Sequence, residues 1–409
     1  MLNKIWAFFF FAAFAAALVQ SLLLGNVGVW QEMVGATFRL SRTAFEIALG
    51  LTGVMCLWLG IMRLGEKGGA VDFLARLFRP LLVRLFPSIP PDHPALGSIV
   101  MNMAANMLGL DNAATPLGIK AMRELQELNP EKDTASNAQI LFLVLNTSAV
   151  TVIPVTIFTY RAQLGAADPT DVFIPILIAT YCSTLVGLLV TAAVQRLRLI
   201  DPVVLAYLGG MTAAVAGMVI YSTSLPREQL ESQSAVAANF LIFAVIIAFM
   251  AGGIKRGINL YEAFVEGAKD GFKVAVGIIP YLVAMLVAIG VFRASGALDL
   301  ILDGLRSAAG GVGLDARFID GLPTAFMKPL SGSGARGMMV EAMQTHGADS
   351  FAGRLASVIQ GSTETTFYVL AVYFGAVGIK RSRHAVICGL AADLAGITAA
   401  ILVSYLFFG

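Results

Sequence analysis

The sequence predicts an all-α polytopic membrane protein with an inverted-topology repeat, two re-entrant helical hairpins, broken transmembrane helices and about nine full spans. Composition is the first of three observations that predict this fold. The chain has 409 residues, of which 57% are hydrophobic and 13% are charged, whereas soluble domains carry about 25% charged residues. The other two observations are repeated long apolar runs and patterns of the first half that return in the second.

Nine segments provide the roughly 20 mostly apolar residues that a transmembrane helix needs. They lie near 5–24, 43–62, 138–160, 172–194, 203–222, 235–254, 273–292, 355–379 and 385–408. The first is longer than the apolar region of a secretory signal, about 7–15 residues, so we interpret it as an uncleaved helix. Cys56, Cys182 and Cys388 each fall within a span, so we expect packing residues and no disulfide or metal site.

Charge distribution predicts the orientation. If the spans alternate, most of the 28 lysines and arginines fall on the side of the N-terminus. Positive charge prefers the cytoplasm. We therefore expect a multi-pass protein of the bacterial cytoplasmic (inner) membrane, with the N-terminus cytoplasmic and the C-terminus periplasmic or extracellular.

Four pattern matches in the same order indicate an internal repeat. They pair "FEIALGL" with "FKVAVGI", "GGAVDFL" with "SGALDLI", "NTSAVT" with "GSTETT", and "STLVG" with "DLAGI". We assign residues 1–200 to the first repeat, 201–230 to a connecting span and 231–409 to the second repeat. A single connecting span inverts the second copy, and inverted repeats are typical of secondary transporters.

Each repeat contains a segment too interrupted for a plain helix, at 93–125 and at 318–344. The breaks are "GLDNAATP" at 109–116 and "KPLSGSGARG" at 328–337. We predict re-entrant hairpins; the alternative is a pair of loops outside the membrane. Non-helical backbone at membrane depth must be buried in protein or line a water-filled cavity, because lipid cannot satisfy its N–H and C=O groups.

The two breaks differ in charge. In the second, Lys328 and Arg336 flank Ser331 and Ser333 ahead of a helix N-terminus, which predicts a cradle for an anion or carboxylate. In the first, Asp111 is suited to take a cation or proton, or to cap the following helix.

The third span of each repeat also contains a polar break. "NTSAVTVIP" at 146–154 ends in Pro154, and "GSTETT" at 361–366 begins with Gly361, so each helix can open there. Glu364 lies within the second break. Because a charge at bilayer depth costs about 3 kcal/mol, we expect a titratable or ligand-contacting group, the alternative being a buried pair with Lys328 or Arg336. Asp393, in the last span, is expected to relay a proton or to pair with a polar neighbour.

Two sets of candidate residues follow from these segments. The expected substrate-binding residues are Asn112, Thr115, Asn146, Thr147, Ser148, Lys328, Ser331, Ser333, Arg336, Ser362, Thr363, Glu364 and Thr365. The expected ion-coupling residues are Asp111, Glu364 and Asp393. The sequence contains no Walker loop, zincin pattern or nucleophile elbow, so we expect no enzymatic activity, cofactor or bound metal.

The same motifs resemble a known family. Residues 1–200, with "PPDHPALG", "GLDNAATPLGIKAM" and "NTSAVTVIP", resemble spore maturation protein A. Residues from about 230 to 409, with "KPLSGSGARG" and "GSTETTFYVLAVYFG", resemble spore maturation protein B. The chain is thus similar to a fusion of the two within the nucleoside-recognition, or Gate, domain proteins. The resemblance implies hairpins, broken helices and solute passage, but fixes neither sporulation nor a nucleoside substrate.

The predicted function is secondary transport of a small polar metabolite that is zwitterionic, carboxylate-bearing or nucleoside-like, coupled to H⁺ or Na⁺. A non-transporting scaffold or sensor of the cell envelope is the main alternative, and a membrane enzyme acting on lipid or peptidoglycan intermediates is a weaker one. The expected partners are the lipid bilayer and the small-molecule substrate, without nucleic acid. Homo-oligomer formation stays open.

Overall fold

The computed structural model describes residues 2–90, 92–109, 111–148, 151–311 and 313–409, without the side chains of 2–3, 111–113, 227–228 and 231. Across these residues all regular structure is helical, apart from one isolated bridge between Thr134 and Arg381. The predicted all-α class is therefore confirmed.

The helices in chain order are α1 Leu2–Leu23, α2 Val29–Gly68, α3 Ala70–Leu85, α4 Pro94–Met107, α5 Asp111–Leu128, α6 Asn137–Thr147, α7 Val155–Gln163, α8 Phe173–Gln195, α9 Pro202–Ser224, α10 Arg227–Lys255, α11 Leu260–Ala294, α12 Ala297–Gly311, α13 Leu322–Met327, α14 Gly332–His346, α15 Phe351–Ser362, α16 Thr366–Gly375 and α17 Ala385–Phe408. A short 3₁₀ helix, Ala316–Gly321, precedes α13.

Seven of the described helices are long and apolar enough to cross a membrane, judged by length and composition. They contain Lys4–Leu23, Val29–Gly68, Phe173–Gln195, Pro202–Ser224, Ser232–Lys255, Leu260–Ala294 and Ala385–Phe408. The other two predicted spans, 138–160 and 355–379, are the discontinuous helices α6–α7 and α15–α16. The chain is thus a multi-pass membrane protein.

Equivalent elements of the two halves follow the same order. A long helix (α2 or α11) leads to a shorter one (α3 or α12), a helical hairpin (α4–α5 or α13–α14), a broken helix (α6–α7 or α15–α16) and a closing helix (α8 or α17). The predicted repeat therefore has a structural counterpart in the order of its elements.

The long helices of the two halves run antiparallel. Gly60 faces Phe264, and Leu40, nearer the start of α2, faces Gly290, nearer the end of α11. The closing helices α8 and α17 also run antiparallel, because Gly187 faces Ala392 while Gln195, later in α8, lies 3.0 Å from His384, just before α17. Opposite directions of equivalent helices are what an inverted repeat requires.

Glycines allow α2 and α11 to approach closely. A Cβ at Gly271 would lie 2.6 Å from the carbonyl oxygen of Met55, nearer than side-chain carbons approach one another. Small residues at such crossings permit backbone contact between membrane helices, where dispersion forces drive association. This crossing joins the two halves.

The hairpin breaks are shorter than the sequence predicts. In the first, α5 already begins at Asp111, and Gly109 makes the turn with φ of +69°; Pro116 lies inside α5, where it removes only one backbone hydrogen bond. In the second, α14 begins at Gly332 because Ser331 caps it, its hydroxyl accepting from the Gly334 N–H at 3.0 Å. The predicted breaks 109–116 and 328–337 are therefore wrong in length, because residues 111–116 and 332–337 are helical.

The broken helices are confirmed, with one shift in position. α6 ends at Thr147 and α7 begins after Pro154, as predicted. Gly361, by contrast, is still helical, and the second opening lies two residues later, at 363–365. A single glycine in a well-packed helix lowers its stability without ending it.

Candidate functional site

Four irregular segments meet at one place, where backbone hydrogen bonds join them. The Glu364 N–H donates to the Thr147 carbonyl at 2.7 Å and links the two helix breaks. The Phe367 N–H donates to the Pro329 carbonyl at 3.0 Å, and the Val152 N–H to the Met107 carbonyl at 2.8 Å, so each hairpin is joined to a break. Mutual pairing satisfies backbone groups that lipid could not.

A cavity of about 110 Å³ opens at this junction. Its lining brings together the predicted Lys328, Arg336 and Glu364. The remaining lining side chains that bear on its chemistry are Asn106 from the first hairpin and Gln360 from the end of α15. Two cations, one carboxylate and two amides therefore surround one small space.

Two polar atoms at the cavity have no hydrogen-bond partner among the described residues. They are Nε of Arg336 and Oε1 of Gln360, whose residue is 9% exposed. The Arg336 guanidinium also lies 5.9 Å from the centre of the ring of buried Tyr160. An unsatisfied buried polar group costs about 1–3 kcal/mol. One donor and one acceptor are thus ready for a bound molecule.

The Glu364 carboxylate is open to this cavity. Among the described side chains none forms an ion pair or a hydrogen bond with it. The alternative of a structural pair with Arg336 is therefore not realised in this conformation. Lys328, in the wall of the same cavity, is 3% exposed.

Asp393 lies behind the second break, outside the cavity lining. It is 1% exposed, and its two oxygens accept from the hydroxyls of Thr363 and Thr366, each at 2.7 Å. The Thr363 hydroxyl also lies 2.8 Å from the Thr147 carbonyl oxygen. A hydroxyl has one hydrogen to donate, so Thr363 can serve only one of these acceptors at a time.

Other predicted side chains bond to nearby helix carbonyls and do not line the cavity. The hydroxyls of Thr147 and Ser148 donate to the Val144 carbonyl, and Ser362 donates to Ile359. Such local bonds hold helix ends beside a break.

The remaining predicted residues have varied positions. Ser331 caps α14, Thr365 is the N-cap residue of α16, Thr115 is half-buried in α5, and Ser333 lines a neighbouring cavity of about 50 Å³. Asp111 and Asn112 lie outside the described side chains. Their roles as ligands stay predictions.

An amide network supports the first half of the junction. The Asn106 amide donates to Oδ1 of Asn146 at 2.7 Å, and the Tyr373 hydroxyl donates to the same oxygen at 3.2 Å. Asn102 donates to the Ala114 carbonyl at 2.8 Å and bridges α4 to α5. Asn146 was predicted from a run of amide and hydroxyl residues, whereas Asn106 and Gln360 were missed because they lie outside the runs that indicated the site.

Comparison with known proteins finds sequence similarity in both halves of the chain. The family model described as "Gate: Nucleoside recognition" matches residues 48–163 and 275–380. Spore maturation protein B of Bacillus subtilis (strain 168) is 51% identical over 175 residues, which cover 42% of this chain and 97% of that protein. Spore maturation protein A of the same organism is 44% identical over 156 residues, 38% of this chain and 80% of that protein. No solved structure matches.

These findings confirm the resemblance that the motifs predict. The two family matches fall one in each predicted repeat. The boundaries at residues 200 and 230 stay predictions.

Proposed function

The chain belongs to the Gate (nucleoside recognition) family, and from that premise we propose that it is an ion-coupled secondary transporter of a small zwitterionic or carboxylate-bearing metabolite. The observation that carries the proposal is the convergence of Lys328, Arg336, Gln360 and Glu364 on one cavity. That cavity lies where two broken helices and two hairpins meet. Secondary transporters bind their solutes at such junctions of discontinuous helices.

The chemistry of the lining supports the solute class. Arg336 and Lys328 suit a carboxylate, which guanidinium and ammonium groups bind by charge-assisted hydrogen bonds. Glu364 and Oε1 of Gln360 suit the hydrogens of an ammonium group. A solute that carries both groups would satisfy the unpaired atoms of Arg336 and Gln360 together.

The size of the cavity also favours a small solute. Its volume of about 110 Å³ is below the roughly 300–1,000 Å³ typical of pockets for drug-sized ligands. A nucleoside-like solute, the second candidate by the family description, needs the cavity to widen.

Asp393 and Thr363 provide the proposed coupling. With Asp393 ionised, the single hydrogen of the Thr363 hydroxyl goes to Oδ1 of Asp393, and the Thr147 carbonyl loses that donor. With Oδ1 protonated, the acid hydrogen goes to the Thr363 oxygen, and the Thr363 hydrogen goes to Thr147. One bound proton thereby makes a hydrogen bond between the two broken helices. Lys328 and Glu364, which line the cavity, are charged groups that act on Asp393, so we expect solute binding and protonation to influence each other.

The location, orientation and absence of enzymatic activity belong to the same proposal. The charge distribution supports an inner-membrane protein with a cytoplasmic N-terminus. Asp111 is the further coupling candidate, and Na⁺ is the alternative coupling ion.

Two experiments test the proposal. Purified protein is screened by thermal shift against amino acids, nucleosides, dicarboxylates and cations, because a ligand that binds only the folded state raises the unfolding midpoint. Glu364→Gln is then measured in proteoliposomes with the solute found. We expect loss of gradient-driven uptake at unchanged expression and melting temperature. Glu46→Gln is the matched control, because Glu46 is exposed on α2 and pairs with Arg42. Wild-type uptake by Glu364→Gln would reject the role of this carboxylate.

A non-transporting scaffold or sensor is the second candidate. The two relatives named for spore maturation favour it. It predicts that no solute shifts the midpoint and that proteoliposomes show no flux above empty vesicles, which would exclude the transporter.

A further inference from the structure

A second groove lies between α3 and α4, and it shares no lining residue with the central cavity. Its volume is about 480 Å³, and its polar lining consists of Asp72, Arg76, Arg79, Asp92 and His93. None of these residues lines the central cavity. The groove therefore needs its own explanation.

The groove keeps an excess of positive charge. Arg76 and Arg79 are three residues apart on one helix face, so both side chains can reach one ligand. Neither forms an ion pair with a described residue; Arg76 donates only to the Asp72 carbonyl, at 3.3 Å. The Asp72 carboxylate is already paired with Arg256 at 2.7 Å. Two guanidinium groups thus face the single remaining carboxylate, Asp92.

His93 adds a donor to the same groove. Its Nδ1 accepts from the Ala95 N–H at 3.3 Å and caps α4. Because Nδ1 is the acceptor, the neutral ring carries its hydrogen on Nε2. That N–H is a further group for binding an anion.

The helix that carries the arginines has the character of a membrane-interface helix. α3 buries Ala75 and Leu82 against the protein, while Phe73 and Leu77, one turn apart, are 61% and 45% exposed. An amphipathic helix with aromatic and aliphatic side chains beside arginines lies at the boundary between headgroups and acyl chains. The groove therefore opens where phospholipid headgroups are found.

The equivalent helix of the second half provides an internal comparison. α12 also exposes large apolar side chains, Leu300 and Ile301, but its one arginine, Arg306, is paired with Asp303 and Asp320. Since α2 and α11 run antiparallel, α3 and α12 follow opposite ends of this pair. Of these two helices, α3 alone carries arginines without an ion pair to a described residue, as expected for a helix facing an anionic leaflet.

We propose that this groove binds the headgroup of an anionic phospholipid. Arg76 and Arg79 hold the phosphate oxygens by charge-assisted hydrogen bonds, and Nε2–H of His93 donates to the same phosphate. Asp92 accepts from a headgroup hydroxyl, and Phe73 contacts the acyl chains. This site is independent of the proposed transport function.

The test uses the full-length protein, delipidated in detergent. Phosphatidylglycerol, phosphatidylcholine with the same acyl chains, and inorganic phosphate are added separately, and bound lipid is measured by native mass spectrometry beside the unfolding midpoint. We expect phosphatidylglycerol alone to be retained and to raise the midpoint. For a double variant Arg76→Gln/Arg79→Gln we expect roughly 30-fold weaker retention, since each basic residue near an anionic surface contributes about fivefold.

Two further variants separate binding from folding. Gly97→Phe should block the groove without removing charge, because Gly97 lines it and nothing lies within 4 Å of a Cβ built there. Arg84→Gln is the matched control, because Arg84 is on the same helix but pairs with Asp201 at 3.3 Å.

The outcomes divide clearly. Loss of phosphatidylglycerol in the double variant and in Gly97→Phe, with retention in Arg84→Gln, supports the site. Equal retention by all variants overturns it. Equal stabilisation by inorganic phosphate overturns the lipid as occupant, and equal retention of phosphatidylcholine overturns the selectivity for an anionic headgroup.

Discussion

Replacing Asp393 tests the hydrogen-bond arrangement behind the second helix break. In Asp393→Asn the amide group can donate to the Thr363 oxygen while its carbonyl accepts from Thr366, because both hydroxyls lie 2.7 Å from the wild-type carboxylate. The Thr363 hydrogen then goes to the Thr147 carbonyl, 2.8 Å away. Asparagine therefore reproduces the hydrogen bonds of the protonated acid with one additional amide hydrogen, and no described group loses a partner.

The expected magnitudes follow from this count. Asp393→Asn should change the free energy of unfolding by less than about 1 kcal/mol, because it exchanges hydrogen bonds of net value near 1 kcal/mol each. Asp393→Ala leaves the buried Thr366 hydroxyl without its acceptor and should cost about 1–3 kcal/mol, plus the loss of packing. The difference between the two variants is the quantity to measure.

The assay is unfolding of the purified protein in detergent, combined with uptake and solute binding. Asp393 lies outside the cavity lining, so Asp393→Asn should keep the thermal shift caused by solute and lose gradient-driven accumulation. A double-mutant cycle with Thr363→Val should give a coupling energy of at least about 0.5 kcal/mol, as for residues in direct contact.

Two results would refute this reasoning. If Asp393→Asn destabilises as much as Asp393→Ala, the buried charge itself is needed, and the exchange of one hydrogen between Asp393 and Thr147 is wrong. If Asp393→Asn still accumulates solute against a gradient, Asp393 does not couple ion movement to transport.

Two further predictions concern the contacts that join the halves, both read by thermal unfolding. Gly271→Val should cost about 1–3 kcal/mol by overpacking, because its Cβ would lie 2.6 Å from the Met55 carbonyl oxygen. Gly277→Val is the control, because nothing lies within 4 Å of a Cβ built at Gly277. Equal melting temperatures of the two variants would contradict the close crossing. Arg161→Met should cost about 3 kcal/mol, because the fully buried Arg161 contacts Asp171 at 2.8 Å and Asp349 at 3.1 Å. The exposed Arg42 is its control, and a loss no larger than that of Arg42→Met would show that these two carboxylates need no partner.

The breaks were predictable because their cause is local. A run of hydroxyl and amide residues followed by Pro154 cannot continue as an ordinary membrane helix, and its counterpart around Glu364 repeats the signal in the second half. The ends of the breaks were less predictable, because they depend on single contacts. The hydroxyl of Ser331 starts α14 by capping it, and neighbouring helices keep Gly361 helical.

The assignment of side chains to the cavity was only partly predictable, because it depends on helix phase. Full charges at membrane depth indicate function through their cost, which is why Arg336 and Glu364 were found. A hydroxyl or amide carries little such cost, since it can bond to its own helix, as Ser362 does. Gln360 lies near the end of the same helix, α15, but its side chain lines the cavity. Which side of α15 faces the cavity is set by tertiary packing.

The two halves share a backbone plan but divide the chemistry unequally. At the junction the first half contributes amides such as Asn106 and Asn146, which bond to each other, while the second half contributes Lys328, Arg336 and Glu364. Because a charge buried beside lipid is costly and a satisfied amide is not, the paired amides Asn106 and Asn146 can keep their hydrogen bond in any state of the site. Among the described residues, the charges of the second half are the groups whose energy changes when a charged solute or a proton arrives. Solute-dependent movement should therefore originate in the second hairpin and the second broken helix, with the first half as the fixed frame.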